Sequence, residues 1–432
     1  MAIKKTRQIL RLELLTIILV GLLLTQCAKP AEEKSRPDPD ALNILHLDAL
    51  YEEILMAGDT VGIVHVSSLA PDYRLAEYPE DGMASTYDAS GAAVFYLHQY
   101  KANGDQHSLR KARHLLRFLL HMHAPSGYFY NYIWNDSRIN AEGINSRAVP
   151  SAWSWRVLWA FGEALDILDP NDPIIYMISR YRNILINTVI HDGHFGSKAT
   201  ASVMGATLPT WLPQGASASE ASVLLLGLSK ALQQPSYSVN LDKADVEAHI
   251  RHFAEGIMMM QVHAPGMAED GAFLSRDNSW QAAGNLQAYA LLTSGAQLKD
   301  TLMIHAALHE IDTYYPSLIK TEMLHQWSWQ KDAGKYASFD RKVFPQEVEG
   351  LRPAVWACLK AYQLNGERKY LDQAKALSGW LTGNNPAHQP MFDPATGLAF
   401  DGIKAEGEIN KNSGALSTVE SLLILQVLKT TH

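Results

Sequence analysis

Four carboxylates stand next to predicted helix starts, where they could exchange protons with a bound ligand. Asp88 and Glu220 lie in the first turns of two predicted helices, and Glu408 and Glu420 flank the start of the last one. Two carboxyl groups on opposite sides of a glycosidic bond can hydrolyse it, because one protonates the leaving oxygen while the other activates water. We predict Asp88 as the base and Glu408 as the acid, with Glu220 and Glu420 as reserve candidates.

A structural role competes with the catalytic one for three of these carboxylates. Ser85 precedes Asp88 by three residues and Ser217 precedes Glu220 by three residues, which is the pattern of a helix N-cap. In a capping box the Glu220 carboxylate would reach back to the backbone of Ser217, so Glu220 ranks below Asp88 as a catalyst. Glu420 lies in the second turn of its helix, where an exposed carboxylate is the usual arrangement.

Aromatic and polar side chains are concentrated near the same helix starts. The chain has 10 Trp and 18 Tyr, and residues 128–159 alone hold eight aromatic rings. Such rings stack on the apolar faces of sugars, and an Arg can bind a carboxylate or a ring hydroxyl, although packing in a local core is the alternative. The predicted ligand-binding residues are Tyr87, Tyr130, Asn131, Trp134, Trp153, Trp155, Arg156, Trp211, Trp280, Asn285, Trp327, Trp329, Arg352 and Asp401.

Long apolar segments with helical spacing recur along the chain, and almost none alternate with a period of two. Short connections with turn residues alternate strictly with long ones. Alternate connections in antiparallel hairpins lie at opposite ends, so the long loops should meet at one end and form a site. The predicted helices are 43–57, 86–102, 107–123, 153–168, 172–190, 217–233, 241–261, 280–296, 299–319, 348–364, 367–382 and 414–429, and the long loops are 58–85, 124–152, 191–216, 262–279, 320–347 and 383–413.

Six helical hairpins arranged in a ring make an all-α fold, the (α/α)6 toroid, which we predict for residues 42–432. In helix number and loop alternation the chain resembles the six-hairpin glycosidase superfamily. The Gly-Asn-Asn-Pro sequence at 383–386, with an acidic, Asn-rich return into the last helix, resembles the C-terminal region of family-nine endoglucanases. That resemblance implies a general acid just before the last helix, for which Glu408 is the nearest match. An open helical solenoid is the alternative, but the chain shows no repeat consensus of solenoid length.

The N-terminus has the pattern of an export signal. Four Lys and Arg residues among the first eleven precede an apolar run over 14–24, which is too short to span a bilayer comfortably. The run ends in Leu-Thr-Gln-Cys, which resembles the cleavage box of bacterial lipoproteins and implies that Cys27 receives a lipid. We predict a signal peptide over 1–27, a Pro-rich flexible tether over 28–41, and a folded domain outside the cytoplasm. A plain membrane anchor or an uncleaved signal is the alternative.

Charge and motifs narrow the classes of function. The net charge is −8 and no basic patch stands out, which argues against a nucleic-acid partner. We predict no cofactor and no metal, because HExxH, P-loop and dinucleotide fingerprints are missing from the sequence. A glycoside hydrolase, attached to the membrane by a lipid and acting on carbohydrate, is the leading hypothesis. There are two alternatives. The first is a polysaccharide lyase, uronyl hydrolase or sugar epimerase in which Arg156 and Arg352 bind an acidic sugar. The second is a non-catalytic glycan-binding lipoprotein.

Overall fold

A computed structural model describes residues 42–332 and 334–431. The predicted signal peptide at 1–27, with Cys27, and the predicted tether at 28–41 lie outside the described residues. The lipid anchor therefore stays a prediction. In the described part of the chain, every helix is either too short or too polar to cross a membrane.

Thirteen α-helices are present in the described residues. They are α1 Leu45–Leu50, α2 Thr86–Asn103, α3 Gln106–His121, α4 Ala152–Ile167, α5 Ile175–Ile190, α6 Ala218–Gln233, α7 Lys243–Met259, α8 Gln287–Leu298, α9 Thr301–Thr313, α10 Tyr315–Lys320, α11 Leu351–Asn365, α12 Arg368–Ser378 and α13 Ala415–Thr430. Helices α2, α4, α6, α8, α11 and α13 form a closed inner ring, because each contacts the next and α13 contacts α2. Helices α3, α5, α7, α9 and α12 each pack outside the inner helix that precedes them. The predicted (α/α)6 toroid is therefore confirmed.

Capping residues are present at the short connections between helices, glycines at helix ends and aspartates at helix starts. Gly104 and Gly366 adopt left-handed φ angles of 74° after α2 and α11, as expected for helix C-termini. The side chains of Asp105, Asp242 and Asp300 accept backbone N–H bonds at the starts of α3, α7 and α9. These connections close one end of four of the hairpins.

The predicted first helix, 43–57, is wrong in its second half. Helix α1 ends at Leu50, and the chain continues as strand β1 Tyr51–Met56, which pairs with β2 Asp59–Val64. Ala57 and Gly58 connect the strands with φ angles of 52° and 91°, a backbone that glycine adopts readily. The short α1 packs on α13 and thereby supplies a reduced sixth outer helix.

Two further predicted boundaries are wrong because strand pairing and proline override the helical pattern. The helix predicted from residue 280 starts at Gln287, since residues Ser279–Gln281 form strand β9. The helix predicted over 299–319 is divided into α9 and α10, and Pro316 lies in the first turn of α10. Proline is tolerated at that position because its missing N–H would have no partner there.

The long connections carry small antiparallel sheets. The remaining strands are β3 Ser67–Leu69, β4 Arg74–Ala76, β5 Ala84–Ser85, β6 Tyr132–Ile133, β7 Thr200–Val203, β8 Ala206–Pro209, β10 Gln326–Asp332, β11 Lys335–Lys342, β12 Gly402–Ala405 and β13 Glu408–Asn410. Pairing of β5 with β6 joins the loops before α2 and α4, and pairing of β9 with β10 joins those before α8 and α11. The Ser413 N–H donates to the Ser68 carbonyl at 3.1 Å, and the Ser68 hydroxyl donates to the Ser413 carbonyl at 2.7 Å, which joins the last loop to the first. The long loops therefore meet at the end of the ring where the inner helices begin.

Candidate functional site

A cavity of about 230 Å³ opens where the inner helices begin. Four inner-ring elements and two loops supply the side chains that matter for its chemistry. They are Tyr87 from α2, Arg156 and Trp159 from α4, Glu220 from α6, Arg276 and Gln281 from the loop before α8, Glu349 just before α11, and Arg352 and Trp356 from α11. Aromatic faces, carboxylates and guanidinium groups thus share one hollow.

A buried ion cluster lies behind this cavity. Glu420 is fully buried and accepts a hydrogen bond of 2.8 Å from Nη2 of Arg156, while Nε of Arg352 donates to its other oxygen. Burial opposes ionisation of this carboxyl, but the two guanidinium charges outweigh it and lower the pKa of Glu420. Glu420 is therefore an ionised anchor that joins α4, α11 and α13, and has no proton to donate at neutral pH.

Glu349 is linked to this cluster through Tyr87. The guanidinium carbon of Arg156 lies 4.0 Å from the ring centre of Tyr87, and the Tyr87 hydroxyl donates to Oε1 of Glu349. Burial raises the pKa of Glu349 to about 7, and the negative charge of Glu420 adds to the effect. Near neutral pH, Glu349 can therefore hold or release a proton at the cavity wall.

Glu220 is a second carboxyl of the cavity with a pKa near neutrality. Its backbone N–H donates to Oγ of Ser217 at 3.4 Å, as the capping pattern predicts. Its carboxylate, however, accepts bonds from Nε1 of Trp155 at 3.2 Å and from Nε2 of Gln214 at 2.5 Å. The return bond of a capping box is absent because the backbone N–H of Ser217 is already bonded to Pro213. Burial raises the pKa of Glu220 to about 7.

Two tryptophans form the wall at the far side of the cavity. The rings of Trp159 and Trp356 are 6.1 Å apart at 71°, and Arg352 lies 4.6 Å from the ring centre of Trp356. Both rings also line a second cavity of about 410 Å³, which includes side chains from the C-terminal halves of α2, α4, α11 and α13. The pair therefore separates two openings at opposite ends of the ring.

The predicted acid and base do not line the cavity. Asp88 is buried beside its cap, where the Ser85 hydroxyl donates to it at 2.6 Å, and burial raises the pKa of Asp88 to about 6. Glu408 is exposed on β13. Asp401, predicted to bind ligand, accepts bonds from the Gly414 N–H at 2.9 Å and from the Ser417 hydroxyl at 2.7 Å, and so fixes the residues at the start of α13.

Several predicted ligand-binding aromatics belong to the core. Trp280 and Trp327 face each other across β9 and β10 as stacked rings 6.1 Å apart, and Trp211 stacks on His252 at 5.1 Å. We reassign these rings to packing, since they belong to the hydrophobic core and none of them lines this cavity. The reassigned residues, each at most 4 % exposed, are Trp155, Trp211, Trp280, Trp327 and Trp329.

Five other predicted binders do not line the cavity; they are Tyr130, Asn131, Trp134, Trp153 and Asn285. The amide oxygen of Asn131 accepts from the Tyr87 N–H at 3.1 Å and thereby fixes the start of α2. The indole N–H of Trp153 donates to the carbonyl of Phe129 at 2.8 Å. Asn285 is fully buried, and its amide finds no partner in the described residues. From the predicted set, the cavity keeps Tyr87, Arg156, Glu220 and Arg352.

Four cavity residues with charged or aromatic side chains were not predicted, although the sequence holds a signal for three of them. Trp159 follows Arg156 by three residues and Trp356 follows Arg352 by four, spacings that place each Trp on the same helix face as its Arg. Glu349 lies two residues before α11, close to the helix start as Asp88 and Glu220 are. Arg276 lies in a loop without periodicity, so its position follows from tertiary structure.

Comparison with known proteins supports the fold. No protein-family model and no curated protein matches the sequence. A cellobiose 2-epimerase from Bacillus thermoamylovorans is similar in structure with a TM-score of 0.57 and 11 % identity, over 90 % of this chain and 96 % of that one. A D-mannose isomerase matches with a TM-score of 0.56 and 12 % identity, over 92 % and 100 %. A family 76 glycoside hydrolase from a bovine Bacteroides thetaiotaomicron strain matches at 0.52 and 10 %, over 89 % and 75 %. The chain thus has the (α/α)6 toroid fold that these structures share.

The ion cluster generates a prediction about stability. Glu420→Gln leaves the two buried guanidinium groups of Arg156 and Arg352 without a counter-charge, so the free energy of unfolding should fall by about 3 kcal/mol. Urea denaturation measures this change. The matched control is Glu408→Gln, which makes the same chemical change at an exposed carboxylate and should have little effect. Equal unfolding midpoints for both variants would contradict the anchoring role.

Proposed function

We propose that this protein is a carbohydrate-active enzyme that hydrolyses a glycosidic bond in the cavity where the inner helices begin. One observation carries the proposal: Glu220 and Glu349 line the same cavity, and burial raises the pKa of each to about 7. Carboxyl groups with such pKa values can serve as acid and base at neutral pH. The toroid that the chain shares with sugar-processing enzymes supports a carbohydrate substrate.

The reaction needs the two carboxyls in opposite protonation states. The protonated one donates to the glycosidic oxygen as the bond to the anomeric carbon breaks, and the ionised one takes a proton from the attacking water. Glu220 and Glu349 extend from different inner-ring segments, the start of α6 and the turn before α11, which are separated in the ring by α8. A sugar ring between them would meet one carboxyl on each side.

The aromatic wall can bind the sugar, and the ion cluster orients one of the two carboxyls. Trp159 offers a half-buried indole on which a sugar face can stack. Tyr87 donates to Glu349 and is itself covered by Arg156, so the orientation of the Glu349 carboxyl depends on the cluster behind it. Hydrogen-bond donors fixed in this way hold the carboxyl without reorganisation during the reaction.

Epimerisation of a reducing sugar is the second candidate. A carboxylate can remove a proton next to the carbonyl of an opened sugar, and a second carboxyl can return one to the other face. Solved structures described as a cellobiose 2-epimerase and a D-mannose isomerase have the same toroid, which favours this reaction over elimination. Epimerisation leaves the number of reducing ends unchanged and incorporates solvent deuterium, whereas hydrolysis creates a new reducing end.

For location, we propose that the enzyme works outside the cytoplasm on a lipid anchor attached to Cys27. The basic start, the short apolar run and the Leu-Thr-Gln-Cys sequence at 24–27 support this proposal. The carbohydrate substrate and the membrane are then its two partners.

Removal of either carboxyl should abolish turnover. On a panel of neutral and acidic glycans, Glu220→Gln and Glu349→Gln should each lower kcat by a factor of at least about 100, because each removes a proton-transfer group. The control is Glu408→Gln, the same change outside the cavity, which should keep the wild-type rate. Loss of turnover in Glu408→Gln with full activity in the two cavity variants would support Glu408, the acid predicted from the sequence, and would reject this proposal.

The rate should depend on pH as a bell with its maximum near pH 7. Below the raised pKa values both carboxyls are protonated and no base is present, and above them both are ionised and no acid is present. Measurement of kcat/KM between pH 4 and pH 10 tests this expectation. A plateau that extends from pH 5 to pH 9 would show that these two groups do not titrate in the active enzyme.

The lipid anchor is tested by fractionation of bacteria that express the full chain. Wild-type protein should sediment with membranes and incorporate labelled fatty acid. Cys27→Ser, which removes the thiol that accepts the lipid, should do neither, while the matched change Cys358→Ser at the buried second cysteine should leave the label unchanged. Equal labelling of wild type and Cys27→Ser would contradict lipidation at this residue.

A further inference from the structure

Three arginines line the cavity, but they differ in their partners. Arg156 and Arg352 both donate to Glu420. The half-buried Arg276 makes no side-chain hydrogen bond and no ion pair with any described residue. A guanidinium group carries five N–H donors in a planar fork, so this side chain presents unused donors to the cavity.

The backbone around Arg276 is fixed. Its N–H and carbonyl are bonded to Ser279 at 3.2 Å and 2.9 Å, which closes a tight turn. The N–H of Asp277 donates to the carbonyl of Ala216, just before α6, and Asp277 has a φ of 49°. The turn is thus attached to the same helix start that supplies Glu220. Arg276 is close enough to Glu220 for its charge to lower the pKa of that carboxyl, against the larger effect of burial.

Arg276 also differs from the other two arginines in its charged neighbours. Arg156 and Arg352 share the ionised Glu420, whereas Arg276 acts on Glu220, whose pKa burial raises to about 7. When Glu220 holds a proton, it carries no charge to pair with Arg276, and Arg276 forms no ion pair with any other described residue. An anion on the substrate would supply the missing negative charge, and a neutral sugar would not.

We propose that Arg276 binds the carboxylate of an acidic sugar, so that the substrate contains a uronic acid residue. This inference rests on the proposed function, because it places the sugar in the same cavity. The planar guanidinium fork matches a planar carboxylate with two parallel hydrogen bonds. The acidic group is thereby held on the Glu220 side of the cavity, and the sugar ring can lie on Trp159. Arg156 and Arg352, predicted from the sequence to bind an acidic sugar, instead hold Glu420.

Binding of two matched sugars tests the proposal without requiring turnover. Methyl glucuronide and methyl glucoside differ in one carboxylate, and isothermal titration calorimetry measures the affinity of each for the whole protein. We expect wild type to bind the glucuronide at least about tenfold more tightly, as a charged hydrogen-bonded pair allows. Arg276→Met should remove this preference and leave glucoside binding unchanged, while Arg276→Lys should keep part of it.

The control variant is Arg74→Met, an exposed arginine on β4 that does not line the cavity, and it should bind both sugars as wild type does. Equal affinity of wild type for the two sugars, no binding of either one, or an equal loss of both in Arg276→Met would overturn the proposal. Its failure can be distinguished from failure of the proposed function. Acid-selective binding without turnover would reject only the catalytic assignment, and turnover confined to neutral glycans would reject only the role of Arg276.

Discussion

The contact of Glu420 with two arginines is the constraint on which the site depends. It joins residues 264 and 68 positions apart in the sequence and fixes three of the six inner helices to one another. The ring is packed to make room for it, since a Cβ atom at Gly91 of α2 would lie 2.7 Å from Nη2 of Arg156. A buried carboxylate with one partner missing would be costly, so the cluster forms as a unit.

The chemistry of the site depends on the different partners of its three carboxyls. Glu420 forms ion pairs with two arginines, so it stays ionised and does not transfer a proton. Glu349 receives only a neutral donor, Tyr87, and Glu220 receives only neutral donors from Trp155 and Gln214. Burial without a direct ion pair is what raises the pKa of both groups toward neutrality. The two carboxyls therefore titrate in the working range of an enzyme, and the charge of Glu420 contributes to this in the case of Glu349.

The toroid was predictable from the sequence because its signal extends over long segments. Helical spacing of apolar residues and strict alternation of short and long connections specify the ring, but they fail where the pairing is local, as at Tyr51–Met56. The site was predictable only in part. The sequence identified carboxylates at helix starts as candidates, but it did not show which way each side chain points. The partners of Ser217 direct Glu220 into the cavity, and strand pairing directs Trp280 into the core. Such choices depend on contacts between distant segments, which sequence patterns do not report.

Glu220 and Glu349 can serve as acid and base only if they exchange protons near neutral pH, and ¹³C NMR titration of glutamate side-chain carboxyl groups measures this most directly. The signals are assigned by their loss in Glu220→Gln and Glu349→Gln, and the protein needs no substrate. We expect both carboxyls to titrate at about pH 7, well above the ordinary range of glutamate. Titration of both groups near pH 4.5 would mean that neither holds a proton when the enzyme works, and would contradict the acid and base assigned to this cavity.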